Sequence, residues 1–77
     1  MYREMTEIKS KSRWKIGQQF MQKREEQGWS IEQVAVMADV KPATIVKIEA
    51  GVFNVPLDIL ACVADVLGCD LEIKSRL

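Results

Sequence analysis

SIEQVAVMADVKPATIVKIEAG, residues 30–51, carries two short helices, their caps and the tight turn between them. Ser30 with Gln33 three positions on has the spacing of a capping box, and Trp29 just before it is placed to staple onto Val34. Val34, Ala35 and Ala38 then share one face at helical spacing, which predicts a helix over about 31–38. Asp39 interrupts the pattern where the chain must turn through a conformation tolerated by Gly, Asn or Asp. Pro42 suits the first turn of a following helix over about 42–50, whose inner face holds Ile45, Ile48 and Glu49 and whose left-handed stop is Gly51. Two helices joined by so short a turn form a helix-turn-helix unit.

Working outward, a helix is expected over about Ser12 to Gln27, with Ile16 and Phe20 facing the core and Gly28 ending it. Residues 1–11 form an arm to which the sequence assigns no firm structure. Residues 51–55 are a loop. A fourth helix over about 56–67 has Leu57, Leu60, Ala61, Ala64 and Leu67 on one apolar face and Ile59, Cys62, Val63 and Val66 on a second. Asp58 and Asp65 are its only charged row. A helix apolar nearly all round is buried on more than one side, and four helices this short are expected to leave one side for a partner. From Cys69 to Lys74, Leu71 and Ile73 alternate with Asp70, Glu72 and Lys74, the period of a half-buried strand. A lone strand needs an edge to pair with, either the N-terminal arm or its copy in a second subunit. A homodimer is the preferred reading, with Ile59, Val63, Val66, Leu71 and Ile73 as its candidate contacts.

Over roughly Ile16 to Gly68 the chain resembles the Cro/repressor-type (XRE) helix-turn-helix regulators with the lambda-repressor-like fold. The landmarks are Ile16-Gly17 and Phe20, Arg24 with Gly28-Trp29-Ser30, Val34-Ala35, Val40, Pro42-Ala43-Thr44-Ile45, Ile48-Glu49 with Gly51, Asn54, Leu57, Leu60 and Leu67-Gly68. The resemblance implies an all-α bundle of four main helices over 12–68; the 1–11 arm precedes it, and the strand or tail over 69–77, read from its alternation, follows as the expected dimerisation element. It implies that Arg24 and Glu49 form a structural ion pair. It implies that the third helix enters a DNA major groove, with Pro42, Ala43 and Lys47 at base-reading positions and Lys41 and Thr44 beside them. Lys47 can donate to guanine, and Ala43 or the Thr44 methyl can touch a thymine methyl. Ser30, Gln33 and Asn54 would meet the phosphate backbone, helped by amides at a helix N-terminus. The chain departs from the pattern in three places. Ile31 stands where a phosphate-binding Gln is common, Lys41 replaces the usual Ser or Thr cap, and Val52, Phe53 and Val55 replace basic residues after the third helix. Phe53 is expected in the core.

Seventy-seven residues with 11 basic and 11 acidic side chains balance to zero, so attraction to a polyanion must come from how charge is placed. Lys9, Lys11, Arg13, Lys15, Lys23 and Arg24 follow one another with no acid among them, whereas the part after Gly28 is richer in acids. That basic segment can supply phosphate attraction. With two Cys and no His, no zinc site or disulfide framework is expected, and Cys62 and Cys69 read as buried small hydrophobes. No nucleophile sits beside a base and no Gly-rich phosphate loop is present, so an enzyme is the least favoured class. Neither a membrane span nor a signal peptide is expected, which points to the cytoplasm. The function expected is a dimeric, sequence-specific DNA-binding regulator of repressor type on a palindromic operator, with no cofactor. The alternative is an antitoxin-like or adaptor module that keeps the fold and binds another protein, a toxin-like one for example.

Overall fold

In a computed structural model, which describes the backbone of residues 2–71 and the side chains of residues 10–71, the chain forms α1 (Tyr2–Glu26), α2 (Ile31–Ala38), α3 (Pro42–Glu49) and α4 (Leu57–Val66). No strand occurs among the described residues. At about 1.5 Å per residue, α1 is nearly as long as the 40 Å main axis of the molecule. Its helix starts at Tyr2 and so runs through the segment to which the sequence assigned no firm structure. α3 packs against α1 and α2, and α2 also packs against α4.

One core joins all four helices. Phe20 of α1, Val34, Ala35 and Ala38 of α2, Ile45 and Ile48 of α3, and Leu60, Val63 and Ala64 of α4 are buried together with Phe53 and Leu67. Each short helix contributes residues three and four apart, one buried stripe of a helix with a wet back. Phe53 closes the core from the α3–α4 loop as expected, Val55 packs against it, and Val52 stays 70 % exposed. Two ties fix the C-terminal end of α1: the Gln27 side-chain amide donates to the Leu67 carbonyl at 3.0 Å, and Arg24 reaches both α3 and the α1–α2 turn.

The fourth helix corrects the sequence reading. Val63, expected at a dimer surface, is 1 % exposed and belongs to the core. Leu57 and Ala61, expected inside, face out with Asp58 and Asp65. Cys62, expected to be buried, is exposed, and its thiol approaches the Ala38 carbonyl at 3.7 Å, while Cys69 is half-buried. The inner stripe is thus Leu60, Val63, Ala64 and Leu67, which the packing of α4 against the core selects over the equally spaced Leu57, Leu60, Ala61 and Ala64. Ile59 and Val66 lie at the margin, half-buried. Of the expected strand, Cys69 to Leu71 are not in a strand, with Leu71 exposed, and 72–74, Ile73 included, lie outside the described residues.

Candidate nucleic-acid interface

The entry to α2 is a reciprocal cap. The Gln33 backbone N–H donates to the Ser30 hydroxyl oxygen at 3.1 Å, and the Ser30 N–H donates to the Gln33 side-chain carbonyl at 2.7 Å. Two of the four free N–H groups of that helix end and turn are satisfied this way. Ser30 and Gln33 are exposed, yet their oxygens are committed to each other, so what they still offer an anion is the hydroxyl proton and the Gln33 amide. At the far end Asp39 takes the left-handed conformation, φ 55° and ψ 47°. Its N–H donates to Val36 at 3.2 Å and that of Val40 donates to Ala35 at 3.0 Å, closing α2 so that α3 can start at once.

Lys41 is the N-cap of α3 in extended backbone, and its side chain makes no capping bond. Pro42, which has no N–H to satisfy, opens the helix. The outward face of α3 is set by what its inward face buries. Because Ile45, Ile48 and Glu49 point in, Pro42, Ala43, Val46, Lys47 and Ala50 point out, with Thr44 half-buried at the margin. Thr44, Lys47 and Asn54 line one cleft with Val52, Phe53 and Val55. The site residues therefore fall into two clusters: Ser30 with Gln33 at the start of α2, and Lys41, Pro42, Ala43, Thr44, Lys47 and Asn54 around α3. Among the described residues neither Lys41 nor Lys47 forms an ion pair.

That face is held by a clamp behind it. The Arg24 Nε donates to Glu49 Oε2 at 2.7 Å, one terminal nitrogen donates to Glu49 Oε1 at 2.9 Å, and the other donates to the Trp29 carbonyl at 2.9 Å. Bidentate pairing in this plane suits a guanidinium and not an ammonium. The side chains are only 14 % and 8 % exposed, and no buried side-chain polar atom among the described residues lacks a partner. The hydrogen bonds to Glu49 raise the Arg24 pKa above its ordinary value against the opposing effect of burial. The crossing of α1 and α3 is closer still at Gly17, where a Cβ would lie 2.2 Å from the Ile48 carbonyl oxygen. Gly51 has φ 74° and a Cβ there would lie 2.7 Å from the Trp14 Cα, so conformation and space both require glycine.

The basic segment is partly spent on these ties. Arg24 belongs to the clamp, and Lys23 lies 3.6 Å from Glu26 in an exposed pair; the other bases of the segment among the described side chains are Lys11 and Lys15, exposed and one turn apart, and the half-buried Arg13. No group of three or more metal-ligating side chains occurs among the described residues, nor is any helix among them long and apolar enough to cross a membrane. Val46, half-exposed at 50 %, was not among the residues the sequence singled out. Its spacing of three from Ala43 and four to Ala50 would have found it.

A family model described as helix-turn-helix matches residues 20–74, which includes both clusters and the Arg24–Glu49 clamp. No curated protein and no solved structure matches the chain significantly.

Proposed function

Since the chain belongs to the Cro/repressor-type helix-turn-helix family of DNA-binding regulators, we propose that it acts as a repressor by occupancy. Two copies each insert α3 into a major groove, on a palindromic operator whose half-site centres lie about 34 Å apart. The observation that carries this reading is the outward face of α3: exposed along its length, with Lys41 at its entry and Lys47 at its middle, and braced from behind by Arg24 and Glu49. Lys47, Thr44 and Ala43 contact bases. Lys41, Asn54, Ser30, Gln33 and the exposed Lys11 and Lys15 hold phosphates. Leu57, 73 % exposed, and Ala61 one turn on give α4 an apolar strip for the second copy, and Ile59 and Val66, half-buried on the helix's other margin, offer a second contact.

A double variant Lys41→Ala, Lys47→Ala tests the cationic part of this reading. The logarithm of affinity for duplex DNA falls linearly with the logarithm of salt concentration, and each phosphate-contacting cation adds about 1 to that slope. The variant is expected to bind more weakly and to lose about 1 to 2 from the slope. An unchanged slope with unchanged affinity would remove both lysines from the interface.

A second reading, an antitoxin-like or adaptor role toward another protein, is supported by a shallow apolar groove on the outer side of α2. Trp29, Val36 and Met37 line it with Glu32 and Gln33, and Val36 is 79 % exposed. The groove meets the proposed DNA-binding face at Gln33, which belongs to both, and the two roles can otherwise coexist.

A further inference from the structure

The exposed face of α3 is poor in hydrogen-bonding groups. From Pro42 to Ala50 it presents Ala43, Val46 and Ala50 on successive turns, with Lys47 beside them and the Thr44 hydroxyl half-buried at the edge. A groove-reading helix normally discriminates bases through amide or guanidinium groups that pair with base edges. One cation and one marginal hydroxyl cannot distinguish four base pairs over several positions. The major-groove edge offers a single apolar feature, the 5-methyl group of thymine. Val46 lies midway along the helix between Ala43 and Ala50, and its branched side chain, still 50 % exposed, has apolar area to bury. Ala43 and Ala50 on either side are short enough to let the helix axis approach the bases. Set against a cytosine amino group, the same valine would leave a donor without an acceptor.

We infer that α3 reads its operator through pyrimidine 5-methyl groups, with Val46 as the central specificity-determining residue and Ala43 and Ala50 completing the apolar strip. Lys47 beside them adds a donor to guanine O6 or N7, so the half-site is a thymine-rich step next to a guanine. The inference rests on the reading of the chain as a duplex-DNA reader and names what that reader recognises.

The test is methyl deletion in the DNA. A duplex is selected from a random-sequence library with the full chain, then resynthesised with deoxyuridine in place of each thymine in turn, and the affinity of each copy is measured for the native chain and for Val46→Ser. At the thymines facing Val46 the native chain is expected to bind the uracil copy about fourfold more weakly per methyl lost. Val46→Ser is expected to bind the thymine and uracil copies alike there, with the native salt slope, because no phosphate contact has gone. If every uracil copy binds as the parent does, or if Val46→Ser keeps the thymine preference, methyl readout is wrong while DNA binding stands. If no duplex is retained at low salt, the DNA-binding proposal itself falls and this one with it.

Discussion

Glu49 is the one charged side chain buried among the described residues, at 7 % exposure, and it is tolerated there because two guanidinium nitrogens and its own two oxygens match. Glu49→Ala would leave the half-buried Arg24 charge without its partner, a loss that reaches about 3–5 kcal/mol for a fully buried pair and is expected to be about 1–3 kcal/mol for this partly buried one. Replacing both ends, Arg24→Met with Glu49→Leu, removes both desolvation costs, and its urea midpoint is expected to lie much closer to that of the native chain than the single variant's does. A double variant as unstable as the single one would show that the clamp matters for more than charge compensation. The raised Arg24 pKa works in the same direction at every ordinary pH: the guanidinium's contribution is complete below the usual arginine range and is lost only as pH rises above its folded value. Gly17 is a second point of this kind. Alanine is the better helix former by roughly 1 kcal/mol, yet its Cβ would meet backbone oxygens of Ile48 and Glu49 at 2.2 and 2.8 Å. Gly17→Ala is therefore expected to lower stability by about 1–3 kcal/mol through overpacking, read from denaturant midpoints. A gain in stability would mean that α1 can move off α3 cheaply.

The helices differ in how completely their sequences determine them. The turn between α2 and α3 was legible because its causes are local: a capping box at Ser30 and Gln33, an aspartate in the left-handed region, a proline at the first position of α3 and a glycine after its end. The orientation of α4 was not legible, because a helix apolar nearly all round has no wet side to fix it. Which of Leu57 or Val63 turns inward is settled by the neighbours it meets, and none of those neighbours is close in sequence. The close approach at Gly17 was likewise hidden, since a glycine inside a helix has the same sequence signature whether it is a packing contact or a weakness. Val46 is not at a position the family resemblance assigns to base reading, and only its spacing between Ala43 and Ala50 marks it. At the start of α3, Lys41 stands where a side-chain cap would be favourable, and it makes none. Lys41→Ser is expected to raise stability by about 0.5–1 kcal/mol through the new cap, while weakening DNA binding and lowering the salt slope by about 1. Stability and binding moving together in the same direction would contradict this division of roles.

At the scale of the molecule, zero net charge means that the proposed phosphate attraction would have to come from placement: Lys41 and Lys47 at and on α3, and Lys11 and Lys15 on α1. Small helical domains are only marginally stable, so burying the outer strip of α4 against a second copy would add stability as well as align two α3 helices. Mass measured in solution at micromolar concentration is expected to be twice 8.8 kDa, and Leu57→Glu is expected to shift it to that of one chain. A native chain that stays at one copy would remove the α4 strip from the account. The central claim, that α3 is a sequence reader, is tested most directly by selecting from a random-sequence duplex library at low and at physiological salt with the native chain and with the Lys41→Ala, Lys47→Ala variant. Enrichment of a two-fold-symmetric, thymine-bearing site by the native chain, weakened or lost in the variant, is the predicted result. Recovery of no common sequence at either salt would contradict it and turn attention to the apolar groove of α2 as the working surface.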